Sequence, residues 1–93
     1  MANSTITKPS GYSFYFQQYQ TITASTNSLE SANLAVPSGI TPKTLIIIKR
    51  GKSNNTDKTL SDIYFVQFSD GNAQVKFTAP QAGDYKVDLI WVY

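Results

Sequence analysis

The feature that most constrains this chain is an Asp-Gly pair between two runs of alternating residues. Asp70 and Gly71 separate Ser61–Ser69 from Asn72–Ala79. A two-residue loop of type I′ needs positive φ at both central positions, and Asp-Gly is among the pairs that adopt it most readily. The two runs therefore predict a β-hairpin closed by this loop.

The loop also fixes the register of the predicted hairpin, because Ser69 then faces Asn72. Counting back from the loop gives three apolar pairs on one face: Phe68 with Ala73, Val66 with Val75, and Tyr64 with Phe77. The same count places Ile63 and Phe65 on the opposite face, among polar partners. Neither side chain suits a face open to water, so we expect a loop, the N-terminal segment or a partner protein to cover them.

A corner at Pro80–Gly83 leads into a last predicted strand, Asp84–Tyr93. One face of this strand is apolar throughout. The other face begins with acidic and basic residues and turns apolar at Ile90 and Val92. We therefore expect a strand that starts half-exposed, ends buried on both sides, and is held in a sheet or against another subunit.

The most apolar run of the chain, Thr44–Ile48, has four consecutive branched apolar residues. Such a run predicts a strand that is buried on both sides. A sheet in a single sandwich normally has one solvated face, so something must cover the outer side of this strand. Packing between subunits is one candidate, and it would use Ile46 and Ile48.

The N-terminal part of the chain divides into three predicted segments. Residues 1–11 are polar and predict a flexible arm, and Tyr12–Thr23 predicts a strand with aromatic residues on both faces. Ser28–Val36 predicts a strand with a bulge near Ser31–Ala32, and a short helix is the alternative. The aromatic residues suit either a core with tyrosine rims or a platform on which sugar rings stack. The candidates for stacking are Tyr12, Tyr15, Tyr19 and Trp91, of which Trp91 also suits core packing.

Composition excludes several classes of function. The chain has no Cys and no His, which excludes thiol chemistry, imidazole catalysis and the usual zinc sites. Its carboxylates form no pair at catalytic spacing, and no phosphate loop or nucleophile motif is present. We therefore expect no enzyme activity, catalytic residue, metal site or cofactor. A net charge of +2, with mostly dispersed basic residues, argues against nucleic acid as a partner. Only Lys49, Arg50 and Lys52 cluster, which indicates a hairpin tip or loop edge, with a phosphate site as the alternative. The short apolar runs predict a soluble protein without membrane insertion.

The corner before the last strand resembles one found in immunoglobulin-like sandwiches. The residues that carry the resemblance run from Ala79 to Val87, in the sequence Ala-Pro-Gln-Ala-Gly-Asp-Tyr-Lys-Val. In those sandwiches a Tyr hydroxyl bonds back to the corner backbone, and Tyr85 would be that residue. The Cys and Trp hallmarks of the family are missing, so the resemblance implies a sandwich rather than membership of the immunoglobulin family.

The chain as a whole resembles small β-structured virion proteins of tailed bacteriophages, such as tail-fibre, baseplate or head-decoration modules. The likeness lies in the start Met1–Thr7, the strands rich in Ser, Thr and Asn, the passage Val36–Ile47, and Gly83-Asp84-Tyr85. The resemblance implies self-assembly, usually in threes or more, with binding to other virion proteins or to a host-surface glycan. It carries over no site residues.

These observations predict one all-β domain over residues 12–93. We expect an antiparallel β-sandwich, immunoglobulin-like or jelly-roll, of about six or seven strands. The predicted function is non-enzymatic: a self-associating structural and binding module, located in a virion if the resemblance holds. The alternative is a monomeric carbohydrate-binding module that uses surface aromatics. The interface candidates are Ile63, Phe65, Ile90, Val92, Ile46 and Ile48.

Overall fold

The computed structural model of the chain describes residues 10–25, 29–53 and 57–93, and within them it contains six β-strands and no helix. The strands are β1 (Phe14–Ala24), β2 (Glu30–Ala35), β3 (Thr44–Lys52), β4 (Asp62–Ser69), β5 (Asn72–Thr78) and β6 (Gly83–Val92). The strand prediction for Ser28–Val36 is therefore confirmed over the helix. Most of the predicted arm, residues 1–9, lies outside the described residues, and its flexibility stays a prediction.

The six strands form two antiparallel sheets of three strands each. Sheet A has the order β1-β6-β3, and sheet B has the order β2-β5-β4. The predicted all-β antiparallel sandwich of about six strands is confirmed. The last strand, β6, is the centre of sheet A, as expected of a strand held in a sheet. Two backbone hydrogen bonds between Ser13 and Tyr93 extend the β1–β6 ladder beyond the strand ends.

The strand order is that of an immunoglobulin sandwich in its central part. β2 to β6 are paired as strands B to F are in that fold, with B-E-D in one sheet and C-F in the other. β1 lies beside β6, where the immunoglobulin fold has strand G. The hydroxyl of Tyr85, at the start of β6, donates a hydrogen bond of 2.6 Å to the Gln81 carbonyl. The predicted tyrosine corner is confirmed, and it favours the immunoglobulin-like topology over the jelly roll.

The core lies between the inner faces of the two central strands. Along β6, alternate residues point inward, and Tyr85, Val87, Leu89 and Trp91 are each at most 3% exposed. Ala73, Val75 and Phe77 of β5 are fully buried opposite them. The indole nitrogen of Trp91 donates to the Gln17 side-chain carbonyl over 2.8 Å, so the buried polar atom is satisfied.

The predicted hairpin is present, but its register changes partway along. Asp70 and Gly71 have φ of 46° and 79°, as a type I′ turn requires, and Phe68 pairs with Ala73 as predicted. A β-bulge then falls between Phe65 and Gln67. The predicted pairs of Val66 with Val75 and of Tyr64 with Phe77 are therefore wrong. Phe65 lies opposite Val75, and Ile63 lies opposite Phe77.

Bulges lie on three of the four edge strands of the sandwich. Besides the one in β4, the register shifts between Gln17 and Gln20 in β1 and between Lys49 and Gly51 in β3. The bulge predicted near Ser31–Ala32 is wrong, because β2 pairs with β5 in one unbroken register. A bulge twists an edge strand and limits its pairing with other chains. The short strand β2 is the one edge among the described strands without such a bulge.

Candidate functional site

The outer face of sheet A carries an apolar strip where its three strands lie side by side. Phe16, Ile90 and Ile46 form one row across β1, β6 and β3, and Phe14 pairs with Val92 in the next row. Directly opposed residues in antiparallel strands point to the same face, so these side chains are neighbours. The apolar strip consists of Phe14, Phe16, Ile46, Ile48, Ile90 and Val92.

The strip is open to solvent in the single chain. Phe16 is 63% exposed, Ile48 46%, Ile46 45% and Phe14 38%, whereas Val92, at the end of the strip on β6, is buried. The expectation that Thr44–Ile48 is buried on both sides is therefore wrong for the chain alone. The structure separates the run into Leu45 and Ile47, which face the core, and the two exposed isoleucines. Contiguous exposed apolar surface on a small domain marks an interaction site.

The other half of the same face is charged, and it is built on the bulges of β1 and β3. Both bulges border Val87 of β6, the one in β1 on the side of Asp88 and the one in β3 on the side of Lys86. Asp88 accepts a hydrogen bond of 2.8 Å from the backbone N–H of Tyr19, and both its oxygens lie 2.8 Å from Nε of Arg50. The Lys86 ammonium lies 4.9 Å from the centre of the Tyr19 ring. We call Tyr19, Arg50, Lys86 and Asp88 the Tyr19 cluster.

The cluster holds Asp88 in its charged form. The hydrogen bond from the Arg50 guanidinium, followed by that from the Tyr19 backbone, lowers the pKa of the Asp88 carboxyl below its usual value. The side chain of Asp88 is 15% exposed, against 45% for Arg50. The cluster is therefore an ion pair whose carboxylate is largely shielded from solvent and whose guanidinium is exposed.

The outer face of sheet B is polar, in contrast to the apolar strip. Its central row across β2, β5 and β4 is Asn33, Gln74 and Gln67, all amides. Asn72 and Ser69 form the adjoining row at the hairpin end. This face has the composition of an ordinary solvated surface of an antiparallel sheet. The two outer faces of the sandwich are thus chemically different.

Two of the six predicted interface residues lie elsewhere. The β4 bulge turns Ile63 and Phe65 to the inner side of sheet B, so the prediction that they form an outward face is wrong. Ile63 packs against the core, and Phe65 lies 4.6 Å from Phe68 between ring centres. Both line a groove with Leu45 at the open edge between β3 and β4. The structure brings together the other four, Ile46, Ile48, Ile90 and Val92.

The predicted stacking residues do not form one platform. Trp91 is fully buried and hydrogen-bonded, so its proposed role in stacking is wrong. Tyr12, Tyr15 and Tyr19 are 40%, 44% and 56% exposed, but each has a different setting. Tyr12 lies beside the Lys43 ammonium, Tyr15 pairs with Trp91 on β6, and Tyr19 is in the charged cluster. The carbohydrate alternative stays a prediction.

Sequence reasoning missed two members of the apolar strip and most of the Tyr19 cluster. Phe14 and Phe16 share a face in any strand over Tyr12–Thr23, and that alternation could have identified them. Their pairing with Ile90 and Val92 could not be predicted from the local sequence. Lys86 carried no signal beyond its charge, and Arg50 was notable only as part of the short basic run with Lys49 and Lys52. Only the paired bulges bring the two cations to one tyrosine.

No group of residues suited to hold a metal ion occurs in the part of the chain that the structure describes. Nor do residues 10–25, 29–53 and 57–93 include a helix with the length and hydropathy to span a bilayer. No family model, curated protein or solved structure matches the chain. Function is therefore inferred from the two halves of the outer face of sheet A.

Proposed function

We propose that this protein is a non-enzymatic structural module that self-associates through the apolar strip. The observation that carries the proposal is the contrast between the two outer faces. Sheet A exposes Phe14, Phe16, Ile46 and Ile48. The outer face of sheet B exposes amides, hydroxyls and the Lys76 ammonium, and its exposed aromatic side chain, Tyr64, carries a hydroxyl. Four neighbouring exposed apolar side chains on one sheet face are typical of an interaction surface rather than of a solvated sheet face.

A second copy of the chain is the occupant that fits the strip best. The strip contains no charged side chain, so two strips can face each other without burying an unpaired charge. Sheet faces also stack well at a separation of about 10 Å. Partial burial of four such side chains stabilises the contact by roughly 3–6 kcal/mol per chain, since full burial of one is worth about 1.5–3 kcal/mol.

The size of the face favours an assembly of more than two chains. The outer face of sheet A, with three strands and ten residues in β6, measures roughly 14 Å by 33 Å, or on the order of 500 Å², and the apolar strip covers about half of it. A stable interface takes about 800 Å² from each partner. One face alone is smaller than that, so each chain needs a second contact. Strip-to-strip pairs that join through a second surface supply it and give a closed assembly of at least four copies, which lies within the trimer or larger assembly that the resemblance implies.

The virion setting is the part of the proposal that the resemblance to tailed-bacteriophage modules supports. In that setting the strip holds copies of the chain together. The polar outer face of sheet B then stays available to other virion proteins or to a host-surface glycan. Self-association can be tested independently of the virion setting. Sedimentation of surface variants tests self-association.

The test compares variants that place a new carboxylate on each outer face. Phe16→Asp and Ile46→Asp each bury a charge if two strips meet, so we expect the dissociation constant to rise at least about tenfold. Gln67→Asp is the matched control, because it adds the same charge to the solvated face of sheet B. Sedimentation velocity over a concentration series measures the shift in assembly.

Both strip variants should keep the fold, because the native side chains are exposed in the single chain. Far-ultraviolet circular dichroism and a cooperative urea transition check this. The proposal is wrong if folded Phe16→Asp and Ile46→Asp sediment like Gln67→Asp at every concentration.

A further inference from the structure

The Tyr19 cluster combines a strained backbone with an unusual grouping of cations. Tyr19 has φ of 60°, a left-handed conformation that residues other than glycine rarely adopt. Such residues persist only where surrounding contacts hold them, and they concentrate at functional sites. Here the contact is the hydrogen bond from the Tyr19 N–H to Asp88. The bulge thereby holds the exposed Tyr19 ring near Arg50 of β3 and Lys86 of β6.

Two cations approach this one ring. Cζ of Arg50 lies 5.5 Å from the ring centre, and Nζ of Lys86 lies 4.9 Å from it. The two positive charges are therefore within about 10 Å of each other, a separation comparable to the screening length of about 8 Å at physiological salt. Lys52 and Gly51 line the same shallow concavity, but the ammonium of the buried Lys52 lies over the ring of Tyr85, 6.0 Å from its centre. The excess positive charge of the concavity therefore comes from Arg50 and Lys86.

The carboxylates near the cluster do not neutralise Lys86. The Asp88 carboxylate already accepts hydrogen bonds from Nε of Arg50 and from the backbone N–H of Tyr19. The Asp84 carboxylate accepts one from the Thr23 hydroxyl. Lys86 donates instead to the neutral Thr21 hydroxyl over 2.6 Å, and it forms no ion pair within the described ranges. The terminal nitrogens of Arg50 likewise donate to no other described residue. Both cations thus have donors left for a ligand.

We propose that the concavity between Tyr19, Arg50 and Lys86 binds an oxyanion: a carboxylate, sulfate or phosphate group. Asp88 already holds Nε of the Arg50 guanidinium. The terminal nitrogens of that guanidinium can therefore donate to the oxygens of such a group. Lys86 supplies a second charge, and the Tyr19 hydroxyl supplies a neutral donor or acceptor. The site goes beyond self-association, because it occupies the charged half of the face rather than the apolar strip.

The experiment is a titration of the isotope-labelled protein followed by two-dimensional amide NMR. Sodium sulfate, sodium phosphate and sodium glucuronate are the three probes, and sodium chloride keeps the ionic strength constant throughout. We expect saturable shifts at the backbone amides of Tyr19 and Gly51 with at least one probe. The probe with the tightest saturation identifies which oxyanion the site prefers.

Lys86→Gln is the test variant, because Lys86 makes one neutral hydrogen bond and its loss leaves the Arg50–Asp88 pair intact. We expect it to weaken binding by about tenfold or more, as for loss of a charge-assisted hydrogen bond. Lys76→Gln is the matched control, because it removes the same charge from the outer face of sheet B. Its affinity should equal that of the unmodified chain.

Two results would overturn the inference. One is shifts that stay linear with concentration for all three probes. The other is equal affinity in Lys86→Gln and Lys76→Gln. Failure of self-association would be distinguishable, because it appears as an unchanged sedimentation profile in the strip variants and leaves the titration unaffected.

Discussion

At the scale of single residues, the Tyr85 hydroxyl ties the corner between β5 and β6 to the core. Tyr85 is 1% exposed, and its hydroxyl donates to the carbonyl of Gln81, four residues upstream. Removing the hydroxyl leaves that carbonyl without this donor in a partly buried setting. The resemblance to the immunoglobulin-like corner predicted this contact, because the corner motif and the hydroxyl that it needs lie within a few residues of each other.

Tyr85→Phe should therefore lower the free energy of unfolding by about 1–2 kcal/mol. Urea denaturation measures the change. Tyr64→Phe is the matched control, because Tyr64 is half-exposed on the outer face of sheet B, and its effect should stay within about 0.5 kcal/mol. Equal effects of the two variants would contradict the role given to the corner.

Asp88 makes the stability of the fold depend on acid. Its pKa is lowered in the folded state by Arg50 and by the Tyr19 backbone. The stabilisation is therefore fully present above the unfolded value, near pH 4, and is lost as the pH falls through the folded value.

Asp88→Asn removes this titration while keeping a side-chain oxygen for the Tyr19 N–H. The free energy of unfolding of the unmodified chain should therefore fall more steeply below about pH 4 than that of Asp88→Asn. Urea midpoints taken across the acid range, from about pH 6 to about pH 2, test this. Parallel curves for the two proteins would show that Asp88 has no lowered pKa.

At the scale of elements, the β4 bulge decides which side chains reach the core. Because Val66 and Gln67 together oppose one residue of β5, both Phe65 and Phe68 point inward. The sequence predicted the turn and the pairs nearest to it, which follow from Asp-Gly alone. It could not predict the bulge, because Ile63, Tyr64, Phe65 and Val66 are all apolar and both registers bury apolar residues.

Deletion of Val66 should regularise β4 and keep the fold, since the bulge then disappears and every other residue keeps its face. Deletion of Tyr64 is the matched control. It retains the bulge, turns Ile63 outward and places Asp62 opposite buried Phe77.

We expect the Tyr64 deletion to lower the free energy of unfolding by at least about 2 kcal/mol more than the Val66 deletion. Chemical denaturation of the two deletions checks the difference. If the Val66 deletion unfolds the chain and the Tyr64 deletion does not, the register described for β4 is wrong.

At the scale of the whole molecule, the sandwich has one solvated face and one that is half apolar. Composition and alternation predicted the fold class and four of the six residues in the apolar strip: Ile46, Ile48, Ile90 and Val92. Phe14 and Phe16 were missed as interface residues, because their place depends on pairing between β1 and β6, more than 70 residues apart in the chain. Local periodicity shows which residues share a face, but not which strands are neighbours.

The same limit explains the Tyr19 cluster. Tyr19 and Arg50 reach Asp88 from opposite neighbours of β6, and each arrives through a bulge. A bulge shifts the register of a strand by one residue. Tertiary packing decides between such nearly equivalent registers. The sequence therefore showed the charges of the cluster without showing that they meet.

We propose that exposed apolar side chains on sheet A hold copies of this chain together. The most direct test is the absolute molar mass in solution, by light scattering after size exclusion, over a wide range of loading concentrations. We predict a mass of at least three times the 10.3 kDa of one chain. A mass of one chain at every concentration would contradict the claim, and the apolar strip would then need another occupant.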